Sequence, residues 1–222
     1  MTAATGDTPG RDTPTRSDVL PAVAATLELL GAVFSAPGTD RRARAAELLG
    51  DPSFAHPRLA TLAGSLRAFA DADAVALDVE YVRLFLHGLP ATAHPYESFY
   101  RTGLLMDAAC LDGLAALFAA AGVAPAAGPT PPDHIRVELE FLALLLRGLS
   151  TSWRNREAVG AVGRIARELV EAHLVPFASA FRARLAASRP APYFATAADA
   201  LSHALAAADA EVRSADPEAQ DR

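Results

Sequence analysis

Apolar side chains recur at three- and four-residue spacing along most of the chain, and that period admits helices and little else. Leu59, Leu62, Leu66 and Phe69 keep it in one segment, and Leu77, Tyr81, Leu84 and Phe85 keep it in the next. Alternating apolar–polar runs are few, Ile is rare, and Ala and Leu dominate the apolar fraction. That composition favours helix over strand. The pattern predicts an all-α chain: a single-domain helical bundle of roughly eight to ten helices.

The 222 residues are ample for one core. Residues 1–16, rich in Thr, Gly, Pro and Asp, are expected to be a disordered leader, and 213–222 a disordered tail. Between them (17–212) Ser17 is placed to cap a helix to about Ser35, stopped by Pro37 and Gly38. Helices are expected next from Asp40 to Leu49, after Pro57, and from about Ala74 to Leu86. His87 to His94 reads as non-helical. Another helix spans about Leu104 to Ala121, and a Pro/Gly/Ala-rich loop at 123–130 separates the two halves. Thr130 as N-cap, Pro131 in the first turn and Asp133 at the acidic position of a capping box predict a helix to about Arg147. Helices from Trp153 to about His173, on to about Ser188, and from Pro192 to about Val212 complete the bundle.

Charge narrows the function. There are 26 acidic residues against 20 basic ones, and every basic residue is Arg because the sequence contains no Lys. An acidic chain is a poor general binder of nucleic acid, whose phosphates need clustered cations, and suits a positively charged partner better. A phosphate-binding P-loop is excluded by the missing Lys. Cys110, the one cysteine, lies inside a helical pattern and is expected to be a buried structural thiol; no internal disulfide can form, as befits the cytoplasm. The apolar run at 19–34 contains Pro21 and Glu28 and falls short of a membrane span, and Arg41-Arg42 lacks the long apolar run of an export signal.

Catalytic patterns are missing. There is no Gly-x-Ser-x-Gly. His134 and Glu138 are four apart and share a helix face, but a metal needs three or four spaced ligands, and the other histidines form no spaced pair. No catalytic residue, metal or cofactor is therefore assigned. A helical metal-binding enzyme around His134 and Glu138 stays as a rival, and a helical transcriptional regulator as a weaker one without a clean basic recognition helix. Glu138 is flanked by apolar neighbours and needs either an internal partner or a cationic ligand. Asp133 most simply caps its own helix, Glu80 pairs with Arg83, and Tyr96 anchors a loop. Arg136, Glu140, Ala143 and Arg147 form the expected solvated stripe.

Three stretches, in order, carry a resemblance. They are Glu80-Tyr81-Val82-Arg83-Leu84-Phe85-Leu86-His87-Gly88, His94-Pro95-Tyr96-Glu97-Ser98-Phe99-Tyr100, and Pro132-Asp133-His134-Ile135 running into Glu138-Leu139-Glu140-Phe141-Leu142. His173-Leu174-Val175-Pro176-Phe177 and Pro192-Tyr193-Phe194 extend it. Together they resemble the TorD/DmsD family of redox-enzyme maturation chaperones. Many members have Met where this chain has Leu142. The resemblance implies a cytoplasmic all-helical chaperone for a molybdenum-containing oxidoreductase. It would bind the twin-arginine signal peptide of the precursor and delay export until the cofactor is inserted.

The peptide-binding features of the family map to Tyr81, Leu84, Phe85, Pro95, Tyr96, Glu97, Ser98, Asp133 and His134. A cationic head followed by an apolar stretch calls for carboxylates beside an apolar groove. Glu80, Glu97, Asp133 and Glu138 are the expected charges, and Leu84, Phe85 and Phe141 the expected wall. The alternative is an assembly chaperone of the nitrate-reductase type for an enzyme that is not exported. A monomer or a helix-exchanged dimer hinged at 123–130 is expected.

Overall fold

A helix that is apolar on every side belongs in the middle of a bundle, and α1 (Arg16–Val33) takes that place. In this computed structural model, Leu20, Leu27, Leu29, Leu30 and Val33 of α1 are all buried. The structure describes residues 16–214 apart from 38–39, 52–53, 55–56, 87–92, 126–127, 129 and 153–154. The expected leader and tail, most of the expected non-helical stretch from His87 to His94, and the helix start at Trp153 thus lie largely outside the described residues.

Around α1 pack α2 (Arg41–Leu49), α3 (Pro57–Asp71), α4 (Ala74–Tyr81), α5 (Glu97–Thr102), α6 (Ala108–Ala120), α7 (Ile135–Thr151), α8 (Arg156–Glu168), α9 (Val175–Ala187) and α10 (Pro192–Ser214). No strand occurs among the described residues. The fold is all-α, as the apolar spacing predicts. α7 lies along most of α1, and α10 crosses both α1 and α9. The solvated stripe of α7 differs in one member: Ala143 is buried, and Leu144 stands out of the surface instead.

An aromatic hub fills the end of the core where α1, α4, α9 and α10 meet. The Phe34 ring centroid lies 5.3 Å from Phe181 and 6.3 Å from Phe85, and Phe85 lies 5.2 Å from Phe194. Each such pair adds about 0.5–1.5 kcal/mol beyond its burial. Arg41 is 3% exposed beside this hub. Its Nη1 donates to Ser35 O (2.9 Å) and its Nη2 to Asp78 Oδ1 (2.6 Å), with the guanidinium 5.0 Å from the Tyr81 ring centroid. The Arg41-Arg42 pair is therefore part of the scaffold.

Two π-helical turns interrupt the α-helical register, Val82–Leu86 after α4 and Leu169–Leu174 between α8 and α9. The second has a readable cause. Pro176 has no N–H, so the carbonyl four residues back, Ala172, loses its ordinary donor. The chain widens by a turn instead of breaking, and Arg101 Nη2 donates to Ala172 O from α5 at 3.1 Å. His173, in the widened turn, is buried.

Three helix starts differ from the expected ones. α5 is a short helix that its sequence did not announce. α6 begins only after Asp107, whose carboxylate accepts the Cys110 N–H at 3.1 Å, which leaves Leu104–Met106 outside the helix. α7 is capped by His134, not Thr130, and starts at Ile135.

Candidate binding site

Two of the motifs meet where the chain crosses itself in an extended conformation. Tyr96 and His134 form an isolated antiparallel bridge. Glu97 N donates to Asp133 O at 2.8 Å, and Ile135 N donates to Pro95 O at 2.9 Å. The Tyr96 ring stands edge-on to the His134 ring, centroids 5.1 Å apart.

Below this bridge the polar side chains turn inward. Asp133 is fully buried, and its Oδ2 accepts from Ser98 Oγ (2.5 Å) and from Ser98 N (3.4 Å). Ser98 is in the first turn of α5, so Asp133 satisfies the start of that helix from 35 positions away. This corrects the expectation that Asp133 caps its own helix. The cap of α7 is His134, whose Nδ1 accepts the Arg136 N–H at 3.1 Å. Burial, aided by the Arg136 charge, pushes the His134 imidazole down to about 3, which keeps Nδ1 free to accept.

Glu97 is 1% exposed and is the junction of the cluster. Its Oε2 lies 2.9 Å from His173 Nδ1 and takes the Cys110 thiol at 3.2 Å. Arg101 Nη1 sits 3.1 Å from Oε1, an ion-pair contact without the alignment of a hydrogen bond. Glu138, one turn into α7, is fully buried, and neither of its oxygens has a partner among the described residues. Burial first, then the carboxyls of Glu97 and Asp133, hold its carboxyl well above the usual carboxylate range; Arg101 opposes them. Burial and Glu97 also push the Cys110 thiol up, so it is a weak nucleophile. No group of three or more His, Cys, Asp or Glu suited to hold a metal occurs among the described residues.

The remaining expected site residues belong to the scaffold around this cluster: Leu84 O accepts the Ala93 N–H at 2.9 Å, and Tyr81 lies close enough to Tyr96 to interact with it electrostatically. Glu80 takes a two-pronged bond from Arg83 (both 2.7 Å) and the Ala191 N–H (2.8 Å). Arg83 also donates to the carbonyls of Ser188 and Arg189. Glu80 is thus a clasp on the α9–α10 turn. Tyr81, Leu84 and Phe85 are each 1% exposed in the core, and Phe141 stacks on Phe118 at 4.1 Å. They form no open groove wall, and Glu97, Asp133 and Glu138 form no exposed acidic rim, because each is sealed in the interior. Residue typing missed Arg101, Cys110 and His173 as members of the cluster. Only His173 carried a signal, within the quoted His-Leu-Val-Pro-Phe stretch.

Every member of this cluster lies within residues 52–183, the span that matches the family model described as nitrate reductase delta subunit. The chain belongs to that family. It is the TorD/NarJ type of redox-enzyme maturation family, whose members are chaperones, not catalysts, and serve molybdoenzymes in general. Membership displaces the metal-enzyme and regulator readings. A crystal structure of a proposed redox enzyme maturation protein from Archaeoglobus fulgidus is similar. It is 26% identical, covers 82% of this chain and 98% of that chain, and superposes with a TM-score of 0.44. No curated protein matches the sequence. Among the described residues no helix is long and apolar enough to cross a membrane.

Proposed function

We propose that this maturation chaperone acts in the cytoplasm by binding the twin-arginine signal peptide of a molybdenum-containing oxidoreductase precursor. It would hold the precursor back from export until the cofactor is inserted. One observation carries the reading. The Tyr96–His134 bridge joins the Pro95-Tyr96-Glu97-Ser98 and Asp133-His134 motifs into a single unit. Both are motifs that the resemblance associates with peptide recognition. Asp133 Oδ1 and Glu138, unpartnered among the described residues, stand behind that bridge, the first a free acceptor and the second a protonated carboxyl that an approaching cation would ionise. An arginine with five N–H donors suits such acceptors. Glu80, Tyr81, Leu84, Phe85 and Phe141 then support the site from the scaffold.

The matched family description favours a second reading, an assembly chaperone of the nitrate-reductase type for a client that is not exported. A pull-down from the native cytoplasm, followed by titration with the signal peptide of any molybdoenzyme recovered, separates the two. The first reading expects a twin-arginine precursor whose peptide loses affinity when its arginines are replaced. Recovery of a molybdoenzyme lacking such a signal overturns it in favour of the second.

A further inference from the structure

The loop between α5 and α6 exposes three large apolar side chains in succession. Leu104, Leu105 and Met106 are 64%, 50% and 56% exposed. Single exposed leucines are ordinary, but a contiguous apolar run on a surface calls for a partner.

This run is held out by bonded backbone. Gly103, with φ +78°, ends α5 and donates to Phe99 O at 2.9 Å. Leu104 N donates to Thr102 Oγ1 at 3.3 Å. Met106 N donates to Ser98 Oγ at 3.1 Å, and Asp107 then caps α6. Met106 itself has φ +61°, a left-handed conformation that disfavours any residue with a Cβ. A strained residue pinned to Ser98 ties this ledge directly to Asp133, since the same Ser98 hydroxyl bonds Asp133 Oδ2.

The ledge continues onto α6. Every exposed position of that helix is alanine except Asp112. Side chains this small let a second helix approach closely. α6 has 13 residues, a seat of roughly 20 Å. Charge then selects the occupant. From Leu104 to Ala120 there is no Arg or Lys, while Asp107 and Asp112 are acidic, and Arg101 beside the ledge is engaged with Glu97 and the Ala172 carbonyl. A second copy packed symmetrically here would set acid against acid without a base to answer it. A cationic segment with an apolar helical stretch meets a complementary surface.

We propose that Leu104, Leu105 and Met106, with the alanine face of α6, seat the apolar stretch of the client segment, its cationic end toward Asp107 and Asp112. This rests on the signal-peptide reading and assigns a surface that the recognised motifs do not include. The test is fluorescence anisotropy with the full chain and a labelled peptide bearing a twin-arginine head and its apolar stretch. Leu104→Ser/Leu105→Ser and Ala116→Arg lie on the exposed surface, and circular-dichroism melting checks that each folds.

Both variants are expected to weaken binding by about tenfold or more. A peptide whose apolar stretch is replaced by a Gly/Ser spacer should bind the native chain and the variants equally weakly. Native-like affinity in both variants overturns the proposal and leaves the signal-peptide reading standing. No binding of the peptide by the native chain overturns that reading, and the proposal with it. If light scattering shows self-association that the Leu→Ser changes abolish at unchanged peptide affinity, the face is an interface between copies and the proposal is wrong.

Discussion

His173 Nδ1 lies 2.9 Å from Glu97 Oε2, joining side chains 76 positions apart inside the bundle. Glu97 also takes the Cys110 thiol and neighbours Arg101, so α5, α6 and the π-helical turn converge on one carboxyl. Glu97→Ala leaves buried polar partners without an acceptor. Its expected cost is about 3–5 kcal/mol, the range for breaking a buried pair from one side. Glu97→Gln should cost less, because it keeps one acceptor. Urea unfolding followed by circular dichroism reads the difference, and equal stability of Glu97→Ala and the native chain would contradict the junction role.

Glu138 and His134 give opposite pH dependences. The folded state holds the Glu138 proton above pH 4.5, where an unfolded carboxyl has lost it. The folded state therefore binds more protons over that range, and stability falls as pH rises. Glu138→Gln removes this slope. The variant should melt higher than the native chain at pH 8, with the gap narrowing toward pH 5.

His134 works the other way. Unfolded imidazole takes a proton near pH 6.5, whereas the folded one is pushed down to about 3. Stability is lost as pH falls between those values, by up to about 1.4 kcal/mol per pH unit. His134→Asn retains a side-chain oxygen for the Arg136 N–H and should flatten the acid limb of a stability–pH profile. An unchanged acid limb would show that His134 titrates normally.

Ser98→Ala removes the hydroxyl shared between Asp133 and Met106 N. Asp133, fully buried, keeps only the longer Ser98 N–H contact. A loss of about 1–3 kcal/mol is expected for such an acceptor. Amide exchange should quicken at Met106 more than in α10, and uniform protection would argue against the link.

Arg41 and Asp78 form one ion pair with unequal ends, 3% and 48% exposed. Asp78→Ala leaves the buried Arg41 guanidinium with the Ser35 carbonyl as its remaining acceptor and should cost about 1–3 kcal/mol. Arg41→Ala loses the Ser35 carbonyl bond and the aromatic packing as well, and should cost more. Arg41→Lys should not restore it, because a point charge cannot span both acceptors as the planar fork does. Thermal melts of the three variants give the ranking.

The helical class, the long helices and the pairing of Glu80 with Arg83 are legible in sequence because each depends on spacing within one segment. Residue order also brings Tyr96 and His134 to attention through their motifs. The interior of the site is not legible. Nothing local says that Asp133 serves α5, that Pro176 frees a carbonyl for Arg101, or that Glu97 meets His173, since each depends on segments meeting in space. The amphipathic stripe of Tyr81 and Phe85 suggests a groove wall, yet the rings of Phe34, just past α1, and of Phe181 and Phe194 on α9 and α10 cover that stripe. Glu138 shows the limit most plainly: flanking leucines foretell its burial, but not that its oxygens go without a partner among the described residues.

The thiol of Cys110 is the chain's single thiol, and it points at Glu97 in the sealed interior. The molecule thus carries one built-in chemical clock. Maleimide can reach Cys110 only when the junction of α5, α6 and the π-helical turn breathes, so its labelling rate counts those openings. Any occupant that clamps the ledge beside Ser98 will slow that clock, and one that pries the bridge apart will speed it.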